Sequence, residues 1–202
     1  MAHADDEIIW PATYLLQGNN AELARLVLFH VASPTRQRES MALARALYIH
    51  ETKLHDFPDC ERGSDGLPMC PAMPPAMRQE LQRELDSRQW QRVITHGPSG
   101  EYGHEQHKAL HRAVVDHMTR QGTLDRLHVF NASATLAWPS DRPAYQERYR
   151  LLKLFYQSRG SFIDTTWGTR FESTVVPWAQ FNASAARLAC LAAAFPRNAR
   201  NC

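Results

Sequence analysis

The sequence predicts an α/β protein in which short apolar strands lead through loops into helices. Two such units carry the prediction. Ala24 to Ala32, ARLVLFHVA, is a short apolar run rich in branched residues and fits a buried parallel strand. Ser33-Pro34-Thr35 turns the chain from it into a helix over Arg36 to Ile49. Arg92 to Thr95 is a second strand, delivering the chain through His96 and the loop Gly97 to Gly100 into a helix from about His104 to Thr119. A strand, a loop and a helix in that order place the loop at the carboxyl edge of a parallel sheet, where α/β proteins bind their ligands.

The remaining elements follow in order. Ile8 to Gln17 reads as the start of a helix, with Pro11 tolerable only in its first turn and Gly18-Asn19-Asn20 as its stop. On the helix from Arg36, Met41, Ala44, Leu47 and Tyr48 fall at core spacing. Leu54 to Asp59 is a short strand end, followed by a long loop to Pro75 that contains Cys60 and Cys70. Met77 to Trp90 is amphipathic with a solvated Arg/Glu stripe. Leu127 to Asn131 is a strand and Tyr145 to Ser158 a helix, while Trp167, Trp178 and an alanine-rich helix from about Ala183 to Ala194 are packing elements. No internal repeat or second-domain boundary interrupts 1-202, so one domain is expected.

Composition narrows the function. A net charge of +2, without a basic run interleaved with aromatics, argues against nucleic acid. No apolar run reaches the length of a membrane span and no secretory apolar region follows Met1. The four cysteines form no CxxC pair, so reduced thiols and a cytoplasmic protein are the expectation.

The chemistry gathers in two stretches. MAHADDE offers His3, Asp5, Asp6 and Glu7; HGPSGEYGHEQHKALH, from His96 to His111, offers His104 and His107 at a spacing that puts both on one helical face. Three nitrogen or oxygen ligands with a position left for water make a catalytic zinc site, whereas structural sites are closed by four. A further carboxylate nearby supplies a base.

HxDDE followed about a hundred residues later by GEYGHxxH resembles the PIG-L/LmbE-like family of zinc-dependent de-N-acetylases, marked by AHPDDE and (E)YGHPDH-type motifs. Arg36 and Glu39 match the Arg-x-x-Glu that opens the family's next helix, and Lys153, Tyr156 and Gln157 resemble its late helix. The likeness covers about three quarters of the chain. It implies a Rossmann-like three-layer fold with a mostly parallel sheet. Its central first strand would precede the motif directly, yet only Met1 and Ala2 precede His3, so this strand is expected to be missing or truncated. A late start is favoured over a true loss, which would expose two neighbouring strand edges.

The resemblance also implies a site. His3, Asp6 and His107 would ligate Zn²⁺, Asp5 would be the general base, and His104, as imidazolium, would donate to the leaving amine or the oxyanion. Tyr102 would add a hydroxyl donor, while Arg36 and Asp59 would contact a small amino-sugar substrate. Ala4 replaces the family's Pro, and Glu105-Gln106 replaces Pro-Asp, which weakens His104 as an acid unless Glu105 serves it. His96 reads as a pocket wall and His111 as a surface residue. The implied activity is removal of an N-acyl group, with acetyl expected. The alternatives are a non-catalytic sugar- or metal-binding member, or an amidase for a larger acyl group. Nothing in the sequence bears on oligomeric state.

Overall fold

In a computed structural model, the structure describes residues 1–17, 20, 23–31, 33–62, 68–70, 72–134, 143–156 and 171–182. Strand β1 (Arg25–Leu28) pairs in parallel with β2 (Glu51–Leu54), Arg25 opposite Glu51 and Leu28 opposite Leu54. The crossover between them is helix α3 (Pro34–Ala46), the connection that parallel strands require. Strand β5 (Val93–Thr95) pairs in parallel with β6 (Leu127–Ala134), and β6 pairs antiparallel with β7 (Phe171–Pro177). A two-residue ribbon, β3 (Glu61–Arg62) against β4 (Pro68–Met69), stands apart.

The α/β class is therefore present, with parallel strand pairs. The single mostly parallel sheet is not: among the described residues the strands form small mixed sheets, and none joins β1 to β5. What lies beside β1 is the start of the chain. His3 bridges His30 in parallel, the His30 N–H donates to Ala2 O at 2.8 Å, and the Met1 ammonium donates to Val27 O at 2.6 Å. Beyond Met1 a cavity of about 130 Å³, with Leu26, Val27, Ile94 and Thr95 in its wall, separates β1 from β5.

Alternation along β1 explains its continuous apolar run. Leu26 and Leu28 join a core cluster with Ile8, Trp10, Leu43, Phe130, Leu151 and Tyr156, whereas Val27 and Phe29 pack on the opposite side with Met77, Leu81, Leu110 and Val114. Successive side chains of a strand point to opposite faces. Both faces of β1 are covered by helices, so both must be apolar. The covering helices are α3 and α7 (Pro143–Phe155) on one side, and α4 (Pro75–Asp86) and α6 (Glu105–Gln121) on the other.

The expected helix after the first motif is two short ones, α1 (Asp6–Ile9) and α2 (Ala12–Leu15). They break at Pro11, whose ring and missing N–H cannot continue α1. Of the helix expected over Met77 to Trp90, α4 forms the part up to Asp86, starting two residues earlier at Pro75. Strand β7, absent from the sequence expectation, is carried by the branched run Ser-Thr-Val-Val within FESTVVP. The helix expected from about Ala183 to Ala194, and Trp167 and Gln157, lie outside the described residues.

Two expectations are corrected here. Tyr48 is not core: it follows the end of α3 at φ 57° and is 76% exposed, while Ala44 and Leu47 are buried as expected. A left-handed conformation costs an L-residue roughly 1–2 kcal/mol, and glycine's extra chain entropy returns roughly 0.5–1 kcal/mol of that. Tyr48→Gly is therefore expected to raise stability by about 0.5–1 kcal/mol, read as a higher urea midpoint at unchanged slope.

Nor are Cys60 and Cys70 reduced thiols: their sulfurs are bonded across a separation of 10 residues. The ribbon of β3 and β4 brings the two together, which no CxxC spacing advertises. The disulfide removes the support that free thiols gave to a cytoplasmic location. Closing a loop of this size stabilises by about 3 kcal/mol on the chain-entropy account. Cys60→Ser is expected to lower the melting temperature, and reductant is expected to do the same to wild type while leaving the variant unchanged.

Candidate metal centre

The first motif is held in place by its own backbone and by α1. Asp5 stands at the head of α1 with φ 87°, a left-handed conformation that aspartate tolerates better than most residues. Its carbonyl accepts the N–H groups of Ile8 and Ile9 at 3.1 and 3.0 Å. This turn sends the Asp5 and Asp6 side chains to different neighbours. Asp5 Oδ2 accepts from the Arg36 guanidinium at 2.8 Å. Asp6 Oδ1 accepts from Trp10 Nε1 at 3.0 Å and Oδ2 from the His3 backbone N–H at 2.7 Å, so the carboxylate is fixed on both oxygens.

The second motif arrives from β5 through a tight loop. Helix α5 (Gly100–Gly103) ends where His104 caps α6, its Nδ1 accepting the Gln106 N–H at 3.3 Å. His107 then lies one turn inside α6, its side chain fully buried.

Three donor atoms meet between the motifs. His3 Nδ1 is 3.1 Å from His107 Nε2 and 3.5 Å from Asp6 Oδ2, and His107 Nε2 is 3.5 Å from the same oxygen. In a tetrahedral zinc site with ligands at about 2.0–2.1 Å, neighbouring donor atoms stand about 3.3 Å apart. The three atoms thus form one face of such a tetrahedron.

The hydrogen bonds on the far side of each ring decide which nitrogen carries a proton. His107 Nδ1 donates to Glu101 Oε2 at 2.6 Å, which leaves the lone pair on Nε2. His3 Nε2 donates to Gln106 Oε1 at 2.7 Å and lies 3.2 Å from Asp59 Oδ1, which leaves the lone pair of neutral His3 on Nδ1. Two imidazole nitrogens and a carboxylate oxygen therefore converge on one point, where charged His3 donates Nδ1–H and neutral His3 would offer a lone pair. Like partial charges at that separation repel unless a proton or a metal cation lies between them.

Ionisation follows the same need for positive charge. Burial alone would lower His3, but the carboxylates of Asp59 and Asp6 outweigh it and push it up to about 10. Burial pushes His107 down to about 3. Against burial, which would raise it, the histidines around Asp6 hold its carboxyl well below the usual range. Glu101 is likewise brought down to about 2, against burial, by His96 and by the hydrogen bond from His107. Asp6 and Glu101 are thus two buried anions in one pocket, and the raised His3 is the cation beside Asp6.

Two neighbouring histidines face the same point but are less suited to ligate. His104, His3 and His107 offer nitrogens within 4.8 Å of one another, as do His96 and His107 with Asp6. The Nδ1 of His104, however, accepts the Gln106 N–H, so its proton sits on Nε2. His96 Nε2 receives the Ala2 N–H at 3.0 Å. A third group, His55, Glu80 and Glu84, has carboxylates already paired: Glu84 with Arg25 and Lys53, Glu80 with Arg83. It is an ion-pair network on α4.

The structure brings together His3, Asp5, Asp6, His104 and His107, as well as Arg36 and Asp59. Arg36 reaches the centre through Asp5, and Asp59 stands at its rim with 47% of its side chain exposed. Tyr102 lies in α5, and its side chain is outside what the structure describes. His104 differs from the imidazolium expected: burial and the charge on His3 bring it down to about 4, and its Nδ1 serves as a helix cap. Glu105 does not assist it, because its side chain is 61% exposed and binds Lys108. His111 is not a surface residue. It is 4% exposed, with Nδ1 donating to His96 O at 2.7 Å and its ring beside Trp178.

Sequence reasoning missed the layer behind the ligands. Glu101 binds His96 and His107 together, Gln106 orients His3 and donates to Pro58 O, and Glu7 accepts from Tyr156 OH in a buried group with Ser40. The signal available for Glu101 was its place in a glycine-rich loop between two histidines. Tyr156 was noted for its likeness to a late helix, but without the partner it finds in the first motif.

No protein-family model, curated protein or solved structure matches this chain. Among the described residues no helix is long and apolar enough to cross a membrane.

Proposed function

We propose that this chain is a zinc-dependent hydrolase of the PIG-L/LmbE type that removes an N-acyl group, acetyl in the simplest case, from an amino sugar or its conjugate. The observation that carries the reading is the convergence of His3 Nδ1, Asp6 Oδ2 and His107 Nε2 at mutual distances of 3.1–3.5 Å. The donor set of two imidazoles and one carboxylate suits zinc, and bound there the metal supplies an acidified water and a Lewis acid for the amide carbonyl. The covering of β1 by helices on both faces, and the site at the ends of β1 and β5, agree with the three-layer fold of that type.

The chain's own groups supply the rest. Asp5, beside Asp6 but turned to Arg36, accepts the proton of the attacking water. Arg36, held on α3, keeps that carboxylate oriented through its bond to Oδ2. Because His104 is neutral with its proton on Nε2, it contributes a hydrogen bond to the oxyanion rather than a proton to the amine. The proton taken by Asp5 then passes to the departing nitrogen, so one carboxylate acts first as base and then as acid. Asp59, exposed at the rim, receives sugar hydroxyls.

The test is release of primary amine from an N-acetylglucosaminide by zinc-loaded protein. Turnover that disappears with a chelator and returns with zinc supports the reading. Fully loaded protein that releases no amine from N-acyl sugars of any chain length contradicts it.

A further inference from the structure

Behind the proposed ligands stands a carboxylate in an unusual backbone setting. Glu101 follows Gly100 in the left-handed region, at φ 56° after φ 64°. For glutamate that conformation is strained. Its effect is direction, turning the side chain back beneath α6, where it is fully buried. Oε1 accepts the Gly97 N–H at 2.7 Å, and Oε2 accepts Nδ1–H from His107 at 2.6 Å and from His96 at 2.9 Å.

The two rings sharing that oxygen are stacked with centroids 3.8 Å apart. On its other edge the fully buried His96 ring accepts the Ala2 N–H at 3.0 Å, one residue before His3. A continuous path of hydrogen bonds thus runs from His107 through Glu101 and His96 to the backbone that presents His3. It joins two segments separated by 94 residues.

We propose that Glu101 is the positioning residue of the metal centre, fixing His107 directly and the His3 segment through His96. The proposal rests on the reading of His3, Asp6 and His107 as metal ligands. It follows from how a ligand imidazole works: a carboxylate on the far nitrogen sets both the tautomer and the ring's direction, and losing such a partner costs about 10–100-fold in metal affinity. Here one carboxylate serves a ligand and a second histidine that tethers the other ligand segment. Removing it loosens both halves of the site.

The experiment is zinc affinity, measured by competition with a chromophoric chelator, on the full chain as wild type, Glu101→Gln, His96→Phe and the double variant. Leu47→Ala, a core truncation at the C-terminal end of α3, is the control for general destabilisation, and far-ultraviolet circular dichroism checks that each protein is folded. Glu101→Gln is expected to weaken zinc about 10–100-fold, with a change in the visible spectrum of the cobalt-substituted protein, while Leu47→Ala leaves both unchanged. His96→Phe is expected to weaken zinc as well. The double variant is expected to be no weaker than Glu101→Gln alone, because groups acting in series are not additive. Wild-type affinity in folded Glu101→Gln overturns the proposal, and fully additive losses overturn the path through His96. A wild type that binds no zinc is a different result, and removes the metal reading itself.

Discussion

Asp5→Asn is expected to lower kcat by about 10²–10⁴-fold, the usual contribution of a general base, while zinc content and KM stay close to wild type. The substitution is mild for the fold. Asparagine is among the residues that adopt φ near 87° readily, and it retains an oxygen for the Arg36 guanidinium. What it lacks is the capacity to take a proton. Steady-state kinetics beside elemental analysis separates the two roles: a variant that turns over like wild type removes Asp5 from the chemistry, and one that loses zinc makes it a ligand.

Asp6→Ala is expected to abolish zinc binding and to destabilise the fold at the same time. The side chain is the one anion among the three proposed ligands, and it also accepts the Trp10 indole and the His3 N–H. Trp10 is 1% exposed, and its indole N–H would lose this acceptor in the core. A buried donor deprived of its partner costs about 1–3 kcal/mol. Asp6→Asn retains the acceptor oxygen while losing the charge, and is expected to recover much of the melting temperature without recovering the zinc. If both variants held stoichiometric zinc, Asp6 would not be a ligand.

The residues of the proposed metal centre stood out in the sequence because their information is local. His3, Asp5 and Asp6 lie within four residues, and His107 lies on a helix whose start was marked by glycines and by His104. The buried strand β1 was legible for the same kind of reason, since an apolar run of that length needs cover on both faces. What the sequence did not disclose depends on backbone direction or on distant partners. Glu101 becomes part of the site only because two successive residues turn left-handed. His111 is buried because α6 lies against the His96 loop and the Trp178 ring lies beside it, a contact between residues far apart in the chain. The Cys60–Cys70 bond depends on a two-residue ribbon that no propensity signals.

The sheet shows the same limit at a larger scale. Each parallel pair was readable from a strand, loop and helix, but whether the pairs join edge to edge is a tertiary matter. Here residues 1–3 occupy the space beside β1, and a cavity separates it from β5.

The measurement that bears most directly on the account is the zinc content of the purified chain, residues 1–202, beside His107→Ala prepared identically. The account predicts close to one zinc per wild-type chain and almost none in the variant. Folded wild-type protein that takes up no zinc when it is supplied, or a variant that holds as much as wild type, would contradict the assignment of His3, Asp6 and His107 as the metal centre.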